Sequence, residues 1–202
     1  MRAMIGGALL VVLVGAPLAQ ARDKVFRAQL DGDAPREQLR TEVRRCGEPF
    51  ACSRLVVRDG PVARSLTPFR QTRFRYGWTV SRTRLIDFTG DGIPEISYQL
   101  DTVGGTVSSP TMFGVSQWNG STARRIFDFR NGRAPAPGYA YVVYVVTKIV
   151  TGTGGLPEIE TRESLHRQTD ANCCPSAYRV TRHRWDGTRI APIPGSVRIV
   201  EA

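Results

Sequence analysis

The chain has 202 residues, 41% of them hydrophobic, with a formal net charge of +10. That is enough apolar material for one domain with its own core, and it excludes a disordered or collagen-like chain. Only one apolar run approaches membrane-spanning length, so no second stretch is expected to cross a bilayer as a helix.

That run lies at the start, in MRAMIGGALLVVLVGAPLAQA. Arg2 supplies a positive leader region, Ile5 to Val14 an apolar core, and Ala19-Gln20-Ala21 a small-residue cleavage site. Residues 1–21 are therefore expected to be a secretory signal peptide and 22–202 a single exported domain, periplasmic or extracellular, with no membrane span after processing. No cysteine follows the run, so no lipid anchor is expected.

Next comes "DAPREQLRTEVRRCGEP". Asp33 suits a cap, Pro35 a first turn, and Leu39, Val43 and Cys46 recur at i, i+4 and i+7, so an N-terminal α-helix is expected here. The remainder reads as mainly β, a single antiparallel domain built from hairpins. Asp59-Gly60, Asn119-Gly120 and Asp186-Gly187 each separate short apolar or alternating runs, a strong hairpin signal. "QWNGSTARRI" (117–126) and "RWDGTRIAPI" (184–193) echo one another, and we expect equivalent hairpins with Trp118 and Trp185 beside the turns. "FRQTRFRYGWTV" (69–80) alternates arginines with aromatics, as a half-buried strand does. "YAYVVYVVTKIV" (139–150), apolar on both faces, reads as a central strand covered on both sides. Gly- and Pro-rich stretches at 101–110, 130–138 and 151–157 read as loops.

Between two strand-like runs stands "DFTGDGIPEISY" (87–98). Calcium is bound by oxygen ligands from a sharply turning loop with acids at alternating positions and glycine at the bend. Asp87, Thr89, Asp91, the carbonyl of Ile93 and Glu95 occupy positions 1, 3, 5, 7 and 9, with Gly92 at the bend. The twelfth position is Tyr98 and both flanks are strand-like, which excludes an EF-hand. The loop resembles the acidic calcium loop of FG-GAP or VCBS-type secreted β proteins, with Thr89 departing from that pattern. It reads as a single copy, without the repetition that signals a propeller. The competing reading is a hairpin turn capped by Asp87.

Four cysteines in an oxidising compartment are expected to form two disulfides. Their spacing, C-x5-C (Cys46, Cys52) and an adjacent pair (Cys173, Cys174), does not match paired zinc knuckles. Neighbouring side chains of an extended segment point opposite ways, which favours separate partners for Cys173 and Cys174 in Cys46 and Cys52. The competing pattern bonds Cys173 to Cys174, a strained and labile arrangement, and Cys46 to Cys52. "NCCPSAYRVTRHRWDG" (172–187), together with "DFTGDGIPE", Gly104-Gly105 and the closing Trp-Asp-Gly hairpin, is similar to the LppP/LprE-like family of small secreted or lipid-anchored bacterial proteins of unknown function. The resemblance covers about residues 85–193, supports the β architecture and offers no catalytic residues.

Enzymatic signatures are thin: there is no G-x-S-x-G, H-E-x-x-H or phosphate loop, and His166 and His183 stand among arginines. The expected role is a non-enzymatic envelope or extracellular interaction module stabilised by calcium, its partner another envelope protein or an anionic envelope polymer. The alternative is a basic polyanion-binding protein recognising lipopolysaccharide or acidic glycan through its arginines; a hydrolase ranks third. No specific nucleic-acid partner is expected, and the sequence is silent on oligomeric state.

Overall fold

The computed structural model describes residues 25–33, 35–45, 51–67, 77–103, 110–130 and 134–202. The leader 1–21 and Cys46 lie outside them. Every regular element among the described residues is a strand, in three antiparallel sheets that follow one another along the chain. The first holds β1 (Val25–Ala28), β2 (Glu37–Arg45), β3 (Ala51–Asp59) and β4 (Val62–Ser65) in that order. The second repeats the path with β5 (Gly77–Ile86), β6 (Glu95–Val103), β7 (Pro110–Trp118) and β8 (Ala123–Arg130). The third repeats it again with β9 (Tyr141–Thr151), β10 (Pro157–His166), β11 (Ala177–Trp185) and β12 (Ile190–Pro192). Its outer edge is completed by β13 (Arg198–Glu201), which also pairs with β11.

The sheets pack in sequence order, with a core on each side of the middle one. Leu39, Leu55 and Val57 of the first sheet meet Ile96, Tyr98, Leu100, Met112 and Trp118 of the second. On the other face Phe113, Val115, Phe127 and Phe129 meet Ile159 and Ile190 of the third. Met112 and Phe113 therefore serve different cores, as the strand period of two requires. At the bulge of β5, the Val80 N–H donates to Ser53 Oγ at 2.6 Å, joining the first two sheets by a polar contact as well.

Two expectations fail here. Residues 37–45 form a strand, not a helix. Leu39 and Val43 are four apart, an even spacing that also puts them on one face of a strand. Leu39 is fully buried against the second sheet. The expected central strand 139–150 is the end strand β9 of its sheet, with Val146 38% exposed. Of the run 69–80, residues 69–76 lie outside the described residues, and Trp78 packs against the first core.

Each sheet is a meander, so its first and third connections emerge at the same end. The three sheets present that end together. Ile93, before β6, packs on Gly32, before β2, its Cδ1 3.2 Å from where a Cβ would stand. Leu156, before β10, packs the same way on Gly90, before β6, at 3.0 Å. Both glycines have positive φ, 87° and 81°. Gly90→Ala is expected to cost about 2 kcal/mol, from the left-handed backbone plus the collision with Leu156. Gly60→Ala, with open space around it, should cost only the backbone part, about 1 kcal/mol. Urea unfolding of the pair checks this; equal losses would mean that the loops do not seat on one another.

Candidate functional site

The end where these loops meet carries most of the acids singled out above. In the predicted calcium loop every carboxylate is occupied by the loop itself. Asp87 accepts from the Gly90 and Gly92 N–H groups at 2.6 and 2.9 Å, and Asp91 from the Ile93 N–H at 2.8 Å. Glu95 is 2% exposed; its Oε2 accepts from the Phe88 N–H at 2.7 Å, and its Oε1 from Thr89 Oγ1 and Gln117 Nε2, both at 3.2 Å. Burial raises the Glu95 carboxyl above the ordinary range and Asp91 adds to this, while those three hydrogen bonds oppose it. Asp87, Asp91 and Glu95 thus brace the turn, with the Thr89 hydroxyl between Asp87 Oδ1 at 3.4 Å and Glu95 Oε1 at 3.2 Å.

A different group does converge. Asp31, Glu37 and Asp59 each bring a carboxylate oxygen within 4.8 Å of the others, so this group could hold a metal ion. Glu37, 1% exposed, accepts from the Leu30 N–H, and its Oε1 has no hydrogen-bond partner. Burial raises its carboxyl above the ordinary range, and the charges of Asp31 and Asp59 push the same way. Asp33, whose N–H donates to Asp31 Oδ1 at 3.2 Å, is raised as well, by burial and then by Asp31 and Asp59. A cleft of about 420 Å³ opens beside them, lined by Asp31, Asp33, Asp91, Glu95, Gln117 and Arg124 among others.

Sequence reading missed this group because it took the acidic loop for a single copy. The loop recurs before the second strand of every sheet, as "LDGDAPRE" (30–37), "FTGDGIPE" (88–95) and "TGTGGLPE" (151–158). The common element is the final glutamate, and all three are buried: Glu37, Glu95 and Glu158 at 1%, 2% and 4%. The Asn/Asp-Gly turn recurs too, at Asp59-Gly60, Asn119-Gly120 and Asp186-Gly187, each between the third and fourth strands. The readable signal was the coupled recurrence of glutamate and turn.

The remaining singled-out residues are structural. Trp118 is 5% exposed in the first core; Trp185 packs at the edge of the second, with the Arg124 guanidinium 5.9 Å over its ring. His166 is fully buried and stacks on Tyr141 at 5.0 Å, its ring nitrogens unpartnered. His183 lies edge-on to Phe127 and Phe129, its Nδ1 3.3 Å from the Ile159 carbonyl. Cys173 and Cys174 are bonded to each other, and Cys52 is disulfide-bonded too, which overturns the favoured pairing of Cys173 and Cys174 with Cys46 and Cys52. The extended-strand argument fails because this segment is a turn, closed by the Cys174 N–H on the Ala171 carbonyl at 3.0 Å. A second cleft, of about 720 Å³, contains Asp128, but Arg125 and Arg130 engage it at 3.1 and 2.7 Å. No protein-family model, curated protein or solved structure matches the chain.

Proposed function

We propose that the protein is a non-enzymatic interaction module of the cell envelope or exterior, exported by its leader, with calcium as a stabilising ion. The observation that carries this reading is the gathering of turns from three like sheets at one end of a rigid stack. Binding surfaces are commonly built in this way, from loops positioned by a scaffold. The burial of both histidines and the bonding of Cys173 to Cys174 remove the readiest catalytic groups. We also propose kinship with the LppP/LprE-like proteins, on the residues quoted above.

The test has two parts. Expressed with its leader, the protein should leave the cytoplasm with an intact mass beginning at Arg22; a product retaining Met1 would refute export. Immobilised, it should retain an envelope component through about 0.5 M salt, where exposed charge pairs are strongly screened. Ser121→Arg, at the exposed loop end, should abolish that retention.

One observation favours the polyanion alternative. Arg82, Arg84 and Lys148 line a single cleft of about 230 Å³ between the second and third sheets. No carboxylate pairs with any of the three among the described residues, whereas Arg54, Arg125, Arg130, Arg179 and Arg182 all have acids. Under that reading, retention on an anionic glycan falls steeply with salt and is lost in the Arg82→Gln/Arg84→Gln variant, while Ser121→Arg leaves it intact.

A further inference from the structure

The three repeated glutamates have the same place in the fold and three different sets of neighbours. Glu95 is met by donors, the Thr89 hydroxyl and the Gln117 amide. Glu158, whose buried Oε2 also lacks a hydrogen-bond partner, is met by a cation, the Arg182 guanidinium at 3.6 Å. Glu37 is met by acids. Asp31 stands where the second sheet has Thr89, and Val57 where it has Gln117, so both donors are lost. The third acid has an equally specific origin. In the equivalent turns, Asn119 and Asp186 use their side-chain oxygen to accept from the two backbone N–H groups that follow the glycine, at 2.8–3.2 Å. In the first sheet the first of those positions is Pro61, which has no N–H. The Asp59 side chain makes no hydrogen bond among the described residues and is left to face Asp31 and Glu37.

We propose that Asp31, Glu37 and Asp59 form a divalent-cation site, specific to the first sheet, that takes calcium. A buried carboxylate with one oxygen unpartnered and two further carboxylates beside it lacks the compensation that its two counterparts obtain, Glu95 from hydrogen-bond donors and Glu158 from an arginine. All the side-chain ligands are oxygen, which selects a hard cation over zinc. The seat spans two sheets: a Cβ on Gly120, in the second-sheet turn, would lie 2.9 Å from Asp31 Oδ2. A bound ion therefore fastens the β1–β2 loop to the β3–β4 turn against the neighbouring sheet. This rests on the cation part of the function proposed above and moves it from the Asp87 loop to the first sheet.

Calcium titration of the chelator-stripped protein, by calorimetry and thermal melting, tests the assignment without reference to any partner. The expected result is one ion per chain with Kd on the order of 10⁻⁴ to 10⁻³ M, the range of extracellular sites. Asp59→Asn should weaken binding about tenfold or more by removing one ligand charge, while Asp91→Asn should leave it unchanged. Asp31→Thr copies the second sheet by giving Glu37 a hydroxyl donor; it should melt higher than the parent in chelator and lose the calcium response. No calcium-dependent heat or melting shift in the parent protein would overturn the proposal. So would a response abolished by Asp91→Asn and untouched by Asp59→Asn, which would return the ion to the loop before β6. Loss of envelope binding with calcium binding intact would instead count against the module reading alone.

Discussion

Replacing Arg179 with methionine is expected to cost about 3–5 kcal/mol of folding stability, the usual result of removing one partner from a buried ion pair. Glu163 is fully buried, and Arg179 grips it with both arms of the guanidinium, Nε to Oε2 at 2.6 Å and Nη2 to Oε1 at 2.8 Å. The residues are direct cross-strand neighbours on β10 and β11, so backbone pairing holds them together whether or not the charges attract. Arg179 also donates to the Ala134 carbonyl at 3.1 Å, closing the segment before β9 over the pair. Methionine keeps most of the volume and removes the charge, leaving a carboxylate in a site that water does not reach. The double variant Arg179→Met/Glu163→Gln should recover most of the loss, because neither charge then needs compensation. Chemical denaturation of the cycle measures the coupling. A loss under about 1 kcal/mol in the single variant, the level of a solvated surface pair, would mean that water reaches the site.

The strand class was legible in the Asn/Asp-Gly dipeptides, because a tight turn with positive φ at glycine is a local property. Gly120 and Gly187, at φ 82° and 99°, sit where the dipeptides indicate. The misread helix is instructive for the same reason. Leu39 and Val43 satisfy helix and strand alike, and what decides between them is the neighbouring sheet, which no local window contains. The candidate site was least legible. In the acidic loop, the alternating carboxylates that suggest calcium are also what a tight turn uses to cap its own N–H groups, as Asp87 does for Gly90 and Gly92. The stronger cluster joins Asp59 to residues of an earlier loop, and only the β2–β3 pairing brings them together.

The repeat also shows how the outward faces of the described sheets differ from the two inner seams. Immediately after the buried glutamates stand Gln38, Ile96 and Ile159. Ile96 and Ile159 point back at the preceding sheet and are fully buried; Gln38 has no sheet before it among the described residues and is only partly buried. That outer face also carries ion pairs, with Glu42 on Arg54 at 2.7 Å and near Arg58 at 3.8 Å. The outer face of the third sheet is ionic as well, with Glu160 between Arg182 at 4.0 Å and Arg198 at 3.6 Å. Terminal repeats of a stacked array need such polar faces to stop further stacking. The +10 charge is thus partly the charge of the two end faces.

Gly114→Ala is expected to cost about 3 kcal/mol or somewhat more, the upper range for overpacking a close-fitted core. Gly114 lies directly opposite Tyr98 across the β6–β7 pair, and the tyrosine ring lies over the glycine backbone. A Cβ there would stand 2.5 Å from Tyr98 Cζ and 2.6 Å from its hydroxyl oxygen, inside van der Waals contact. The ring has little room to yield, since Tyr98 is 1% exposed in the core that joins the first two sheets. Tyr98→Phe separates the hydroxyl from the ring. That oxygen is buried without a hydrogen-bond partner, so its removal alone should be neutral or slightly stabilising, but it should not rescue Gly114→Ala, because the ring carbons still collide. Tyr98→Leu/Gly114→Ala should recover part of the loss by clearing the space above the new methyl. Melting and urea titration of the four variants decide the matter. If Gly114→Ala costs less than about 1 kcal/mol, Tyr98 does not rest on Gly114, and the seat between the first two sheets is looser than these distances state.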